Sequence, residues 1–454
     1  MTFLGASMLS GISAQVSSLQ VDTLKETKIP DQWDLQSCID YAKEQNITIR
    51  KNRITAASTQ IDVKTAKAAM FPSLSFSTGQ QVVNRPYQET SSRVSGSEII
   101  SSNSKTSYNG NYGLNASWTL YNGNKRLKTI QQEKLNNQMA ELDVATSENN
   151  IQESIAQVYI QILYAAESVK VNENTLQVSI AQRDRGQELL NAGSIAKSDL
   201  AQLEAQVSTD RYQLVTAQAT LEDYKLQLKQ LLELDGENEM NIYLPALSDE
   251  NVLAPLPTKR DVYISALSFR PEIEASKLNV EASELGINIA KSSYFPTISL
   301  SAGIGTNHTS GSDFTFGEQV KNGWNNSIGL SVSVPIFNNR QTKSAVQKAK
   351  LQYETSMLSL LDEQKALYKT IESLWLDANS AQQRYAAANE KLKSTQISYE
   401  LISEQFNLGM KNTVELLTEK NNLLQAQQEQ LQAKYMAILN TQLLKFYQGD
   451  QLAL

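Results

Sequence analysis

The side chains best suited to chemistry are scarce. The chain has 454 residues, with one histidine, His308, and one cysteine, Cys38. A tetrahedral zinc site draws on several Cys or His ligands, so these two cannot supply one. A Ser-His-Asp relay would have to pass through His308, which lies between Asn307 and Thr309 in a polar stretch read as a loop. Cys38 falls in an amphipathic run with Leu35, Ile39 and Ala42, where a thiol behaves as a small apolar side chain. The segment Gly193-Ser194-Ile195-Ala196-Lys197-Ser198 resembles the end of a phosphate-binding loop, but it lacks the paired glycine spacing and a preceding strand. The 41 basic and 48 acidic residues give a net charge of -7 and form no basic tract, which removes nucleic acid as a partner. No catalytic constellation, metal site or cofactor site is expected.

The sequence is organised by an internal duplication. Phe71-Pro72-Ser73-Leu74-Ser75-Phe76 matches Phe295-Pro296-Thr297-Ile298-Ser299-Leu300 at an offset of 224 residues, Phe71 to Phe295. Tyr121-Asn122-Gly123 matches Phe337-Asn338-Asn339, and Asn191-Ala192-Gly193 matches Asn407-Leu408-Gly409, both at an offset of 216. The offset changes within roughly Gln80 to Asn109 and Thr306 to Asn325, which therefore read as length-tolerant loops. Each unit reads helix, strand, loop, strand, long helix, turn, helix. The units span 33–235 and 260–447, joined by a linker at 236–259 that carries Pro245, Pro255 and Pro257. Residues 1–14 read as the remnant of a secretory signal, with an apolar run and a small-residue cleavage site but no basic start.

Strands are expected near 72–84, 108–121, 296–307 and 326–337. In the second, Tyr112, Leu114, Ala116, Trp118 and Leu120 alternate with Asn111, Gly113, Asn115, Ser117 and Thr119. In the fourth, Ile328, Leu330, Val332, Val334 and Ile336 alternate with Ser and Gly. One face is thus apolar and the other small and polar, which suits either the cover of a soluble core or a wall between lipid and water. Strand length and the aromatic residues Phe71, Tyr112, Trp118, Tyr121 and Phe295 near the strand ends favour the membrane wall. Edges are not tolerated in lipid and closed barrels start at about 8 strands, so four per chain call for partner chains. Two copies would make a barrel too tight for a duct; three would make twelve strands.

From Lys125 to about Leu190 there is no proline, enough for a helix of about 100 Å. Ile151, Ile155, Val158, Ile162, Ala165, Val169 and Leu176 step by heptads, and the same register recurs from Leu367 to Phe406, as coiled-coil packing requires. Leading pieces, about Leu35 to Ala69 and Asp261 to Ser293, and trailing pieces, about Ala196 to Leu234 and Thr413 to Phe446, are each near half that length. Stacked end to end, they give four helical columns. Pro72 and Pro296 end the leading helices at their junctions with the strands, and Pro335 is placed to make the reverse switch. A coiled-coil scaffold or adhesin outside the cytoplasm would explain these helices equally well, but not the strands between them.

The chain resembles the TolC family of outer-membrane efflux proteins over nearly its whole length. The resemblance is carried by Trp33-Asp34-Leu35-Gln36-Ser37-Cys38-Ile39-Asp40-Tyr41-Ala42, the paired Phe-Pro junctions, Trp118-Thr119-Leu120-Tyr121-Asn122-Gly123, Pro335-Ile336-Phe337 and the glycine turns at Gly193 and Gly409. It implies an internally duplicated α+β membrane protein of a Gram-negative bacterium. Three copies would form a homotrimer whose twelve-stranded β-barrel in outer-membrane lipid continues as a twelve-helix periplasmic α-barrel. It also implies a gated conduit without enzymatic activity, working with a periplasmic adaptor (membrane fusion) protein and an inner-membrane pump or secretion ATPase. In the family the two turns form the periplasmic tip, with Gly193 and Gly409 at the adaptor contact. The gate carries over onto Ser198, Asp199, Lys411, Glu415 and Thr418, with Lys411 set against Ser198 and Asp199, and Glu415 in a ring of carboxylates. Phe406 and Thr418 depart from the tyrosine and the acid that the family can carry there.

Overall fold

A computed structural model describes residues 30–452 except 88–90, 96–97, 103–104, 236–239, 246–251, 311 and 313. The expected signal remnant at 1–14 lies outside the described residues. In the first unit, α1 (Leu35–Gln45) and α2 (Ile47–Ala68) lead to β1 (Ser73–Asn84), a small hairpin of β2 (Ser91–Ser95) and β3 (Glu98–Ser102), and β4 (Thr106–Asn122). The unit then continues through α3 (Lys125–Asn191) and α4 (Lys197–Leu231). The second unit runs α5 (Lys259–Phe269), α6 (Pro271–Lys291), β5 (Thr297–Thr309), α7 (Phe316–Asn322), β6 (Asn325–Ser333), α8 (Gln341–Asn407) and α9 (Thr413–Gln448). α3 and α8 have 67 residues each, close to 100 Å of helix.

Neither leading helix is one piece, contrary to the sequence expectation. Asn46 is extended (φ −59°, ψ 127°), and its side chain accepts the N–H groups of Thr48 at 2.9 Å and Ile49 at 3.4 Å, capping α2. Its amide also donates to the Leu231 carbonyl at 3.0 Å, so α4 ends where α2 begins. In the second unit Pro271 holds the first position of α6 and keeps Arg270 extended. The Arg270 guanidinium lies 4.1 Å from the Tyr447 ring centroid, which brings the end of α9 to the start of α6. Leading and trailing pieces therefore meet end to end. α1 and α5 are left as short helices around the middle of the long ones, α1 on α3 and α5 on α8 and α9.

This equator holds the main core, in which Trp33, Ile39, Tyr159, Leu228, Leu232 and Ile273 are fully buried. The linker contributes as well: Trp33 bridges in parallel to Ile242, and its N–H donates to the Asn241 carbonyl at 2.8 Å. Along α3 the expected heptad residues Ile155, Ile162, Ala165, Val169 and Leu176 are buried, and Ile151 and Val158 are half-buried.

The sheet is antiparallel throughout, in the order β1-β4-β5-β6. β6 stops at Ser333, short of the expected end near 337, because Pro335 has no N–H for a ladder. The two segments expected as loops carry the β2–β3 hairpin and α7. His308 sits on β5 rather than in a loop.

Candidate functional site

The sheet separates two chemistries. Leu74 and Phe76 on β1, Leu114 and Trp118 on β4, and Ile328 and Leu330 on β6 share one face and are exposed, Ile328 at 78% and Leu74 at 70%. The other face carries Ser73, Ser75, Asn115, Ser117, Ser299 and Ser301. Among the described residues, β1 and β6 are each paired along one side only. A sheet with two open edges and an uncovered apolar face is incomplete as a single chain, since unpaired N–H and C=O groups and exposed large apolar side chains both need a partner.

Where helix turns into strand, the junctions are tied together by hydrogen bonds. Pro72 and Pro296 each follow the last helical turn, and Phe295 N–H still donates to the Ser292 carbonyl at 3.1 Å. Trp118 Nε1 donates to the Met70 carbonyl at 2.7 Å, and Arg126 donates to the carbonyls of Ala69, at 2.9 Å, and Thr119. Arg126 was not anticipated from sequence. On the return path Gly123 and Asn124, like Asn339 and Arg340 beyond Pro335, have positive φ, the tight reversal that starts α3 and α8. A side chain at Gly123 would also meet the Ser292 carbonyl at 2.6 Å.

The two helical turns at the far end share one construction. Ser194 N–H donates to the Leu189 carbonyl and Gly193 N–H to that of Leu190; Met410 and Gly409 repeat this onto Gln405 and Phe406. Gly193 (φ +75°) and Gly409 (φ +74°) supply the left-handed residue that this closure requires.

The expected gate residues surround these turns, but they do not pair as expected. Lys411 Nζ donates to Glu415 Oε1 at 2.6 Å, within its own helix start. Glu415 also completes a capping box with Asn412: Glu415 N–H donates to Asn412 Oδ1 at 2.9 Å, and Asn412 N–H donates to Glu415 Oε2 at 3.3 Å. The bonds from Lys411 and the Asn412 backbone hold the Glu415 carboxyl below the usual glutamate range. Asp199 accepts the Ala196 N–H at 3.0 Å, the exposed Thr418 hydroxyl donates to the Val414 carbonyl at 2.8 Å, and Ser198 is exposed. Among the described residues no hydrogen bond or ion pair joins Lys411 to Ser198 or Asp199. Lys411 lies just before the N-cap Asn412, four residues from Glu415 in the first turn of α9, whereas the acid of the other hairpin belongs to a separate element.

A stronger ionic group lies above the tip, and the sequence reading passed over it. Ser179 of α3, Asp210 of α4 and Lys420 of α9 are 2%, 1% and 3% exposed. Lys420 Nζ donates to Asp210 Oδ2 and Ser179 Oγ, Ser179 Oγ donates to Asp210 Oδ2, and Gln206 Nε2 donates to Asp210 Oδ1 at 2.9 Å. Burial pushes the Lys420 ammonium's pKa down, and the Asp210 contact opposes that shift. The signal was available: Leu203, Val207, Asp210 and Leu214 step by heptads, as do Thr413, Leu416 and Lys420, so two charges occupy seam positions. Removing one partner of such a buried pair costs about 3–5 kcal/mol, whereas an exposed pair like Lys411–Glu415 is worth about 0–1 kcal/mol.

The residues singled out at first for chemistry have structural surroundings. Burial pushes the Cys38 thiol up to about 12, so it stays protonated. The His308 ring packs on Tyr108, Tyr112 and Phe316. Among the described residues no cluster of three or more His, Cys, Asp or Glu could hold a metal ion, and no helix is long and apolar enough to cross a membrane.

With this geometry in place, comparison with known proteins is decisive about kinship. The family model described as outer membrane efflux protein matches residues 38–233 and 262–449. The chain belongs to that family. It is similar to the outer membrane efflux protein BepC of Brucella suis, 24% identical over 294 residues that cover 64% of this chain and 61% of the relative. It is equally similar to the outer membrane protein TolC of Escherichia coli, 24% identical over 294 residues, covering 63% and 58%. These alignments span about three fifths of the relatives' length. Among solved structures, CusC, whose crystal structures address transmembrane channel formation, superposes with a TM-score of 0.77 at 19% identity, covering 92% of each chain. The fold is therefore the internally duplicated α+β fold of this family, and its place is the outer membrane of a Gram-negative bacterium.

Proposed function

We propose that the protein is the exit duct of a tripartite efflux or secretion system. Three copies close a twelve-stranded barrel in the outer membrane, continued by a twelve-helix tunnel, and substrates cross passively while a partner supplies the energy. The observation that carries this reading is the four-stranded sheet, with β1 and β6 open on one side, one face apolar and exposed and the other made of serine and asparagine. Joining β6 of one copy to β1 of the next satisfies every edge and leaves lipid outside and water inside.

In this reading the turns at Gly193 and Gly409 are the periplasmic tip and the contact for a periplasmic adaptor protein, behind which stands an inner-membrane pump or secretion ATPase. The gate is built from Ser198, Asp199, Lys411, Glu415 and Thr418. Because Lys411 makes no bond to Ser198 or Asp199 in its own chain, we assign that contact to neighbouring copies, where a charge-assisted bond of modest strength can be opened by a partner. Three Glu415 carboxylates around a narrow opening would favour cations. No catalytic step is assigned.

Conductance of the purified protein across a planar bilayer tests both levels. Channel events are expected, and Lys411→Ala or Asp199→Ala should raise the baseline conductance. Absence of channel events would remove the duct; unchanged conductance in both variants would remove the gate and leave the duct standing.

A further inference from the structure

The hydrogen-bonded and ionic ties between the two helical hairpins, α3–α4 and α8–α9, end well short of the tip. Ser168 of α3 holds Gln428 of α9 at 3.0 Å, Gln182 of α3 holds Tyr399 of α8 at 2.8 Å, and Gln206 of α4 reaches Asn421 of α9 at 3.4 Å. The buried Ser179–Asp210–Lys420 group lies in the same zone and joins three helices at once. Beyond this belt, about 11 residues or 16 Å of helix from the turns, the ion pairs are internal to one hairpin: Arg183–Asp184, Arg185–Glu188 and Lys411–Glu415. Among the described residues no hydrogen bond or ion pair joins the two hairpins there.

We infer that Ser179, Asp210 and Lys420 are positioning residues that pin the two hairpins together and set the upper limit of the moving tip. The inference rests on the tip being the gate. Opening is then confined to roughly residues 183–205 and 400–419, while the belt stays closed. Exposed pairs near the tip exchange with water at little cost, but separating Lys420 from Asp210 would leave two buried charges without each other. The three polar residues do not need to be ionic to hold the helices: a buried ion pair can often be replaced by apolar residues without loss of stability. What the pair adds is register. Only one sliding position of α9 against α3 and α4 places the ammonium on the carboxylate, as buried polar residues do in coiled coils.

Hydrogen exchange on the intact trimer tests this without requiring a conducting channel, so its failure is separate from failure of the gate. Amides in 183–205 and 400–419 should exchange at least about tenfold faster than those in 164–178 and 424–438, with the step at the belt. Lys420→Met should move the step toward the equator, and Lys420→Arg should keep it in place. The double variant Lys420→Met with Asp210→Leu should recover the thermal stability of the native trimer and still lack the step, because packing is restored and register is not. Exchange that is uniform across the belt overturns the inference. So does a double variant in which stability and step return together, since the group would then be packing alone. If the single variant does not assemble, the native profile and the double variant still decide.

Discussion

The equator and the sheet contain the same kinds of apolar residue and dispose of them in opposite ways. At the equator Trp33, Tyr159, Leu228 and Ile273 come from four separate segments and are each buried to within 1% inside one chain. In the sheet Phe76, Ile328 and Leu330 are at least 65% exposed. The difference is one of period. A heptad seam converges on neighbouring helices of the same chain, whereas a period-two strand has a second face that a single four-stranded layer cannot cover. A single copy can finish the equator, but it leaves the sheet with two open edges and an uncovered apolar face, which in the proposed duct are completed by further copies and by lipid.

Trp33→Ala would test the first half of this contrast most severely. The indole is buried, meets the Tyr41 ring edge-on at 5.2 Å, and belongs to a segment whose backbone is bonded to Asn241 and Tyr243. Truncation should cost about 3–5 kcal/mol per chain, read as a lowered denaturant midpoint for the helical part. The barrel should be untouched, with the variant still found in membrane fractions. Loss of membrane insertion with normal helical stability would break the contrast.

Leu330→Arg tests the other half at a somewhat smaller expected effect. Leu330 lies on the exposed apolar face opposite Leu300, and if that face meets lipid an arginine there costs up to about 2–4 kcal/mol per chain, the value at the bilayer midplane, and less toward the interface. Membrane-inserted trimer should fall while helix content, by circular dichroism, stays at the native level. Its polar-face neighbour Ser331, substituted by Asn, should insert normally. If Leu330→Arg inserts as well as the native chain, the apolar face is not the lipid face.

The same contrast explains what could be read from the sequence. Alternation over Tyr112–Leu120 and Ile328–Val334 needs no tertiary knowledge, since it is a property of each strand alone, and the proline-free run from Lys125 sets helix length just as directly. Breaks within the leading helices depend on longer-range contacts: Asn46 is extended with its amide on Leu231, 185 residues away. Pro271 was the one local sign of such a break. α7 and the β2–β3 hairpin fell where the repeats differ in length, so the comparison of halves carried no information there. The buried Lys420–Asp210 pair was visible as two charges on heptad positions, but which two seams meet is a tertiary fact. At the tip, the resemblance sets Lys411 against Ser198 and Asp199, but its pairing within the chain with Glu415, four residues on, was legible only from the local spacing.

The smallest expected effect concerns that acid and separates the tip from the equator by pH. Glu415 has its folded pKa lowered below 4.5, first by the Lys411 bond and then by the Asn412 backbone. A depressed carboxylate contributes stability that is present above its unfolded pKa and is lost as pH falls through the folded value. The start of α9 should therefore be unaffected between pH 8 and the usual glutamate range, and should fray only below it. Glu153 at the equator is shifted the other way: burial raises its pKa despite the Arg270 guanidinium at 3.2 Å. Its contribution falls as pH rises from 4.5 through the raised value, so the two sites respond with opposite sign. Hydrogen exchange at 411–417, corrected for the intrinsic pH dependence, should show the acid step, and Glu415→Gln should abolish it. A step above 4.5, or one that survives Glu415→Gln, would mean that the turn is held by something other than its capping carboxylate.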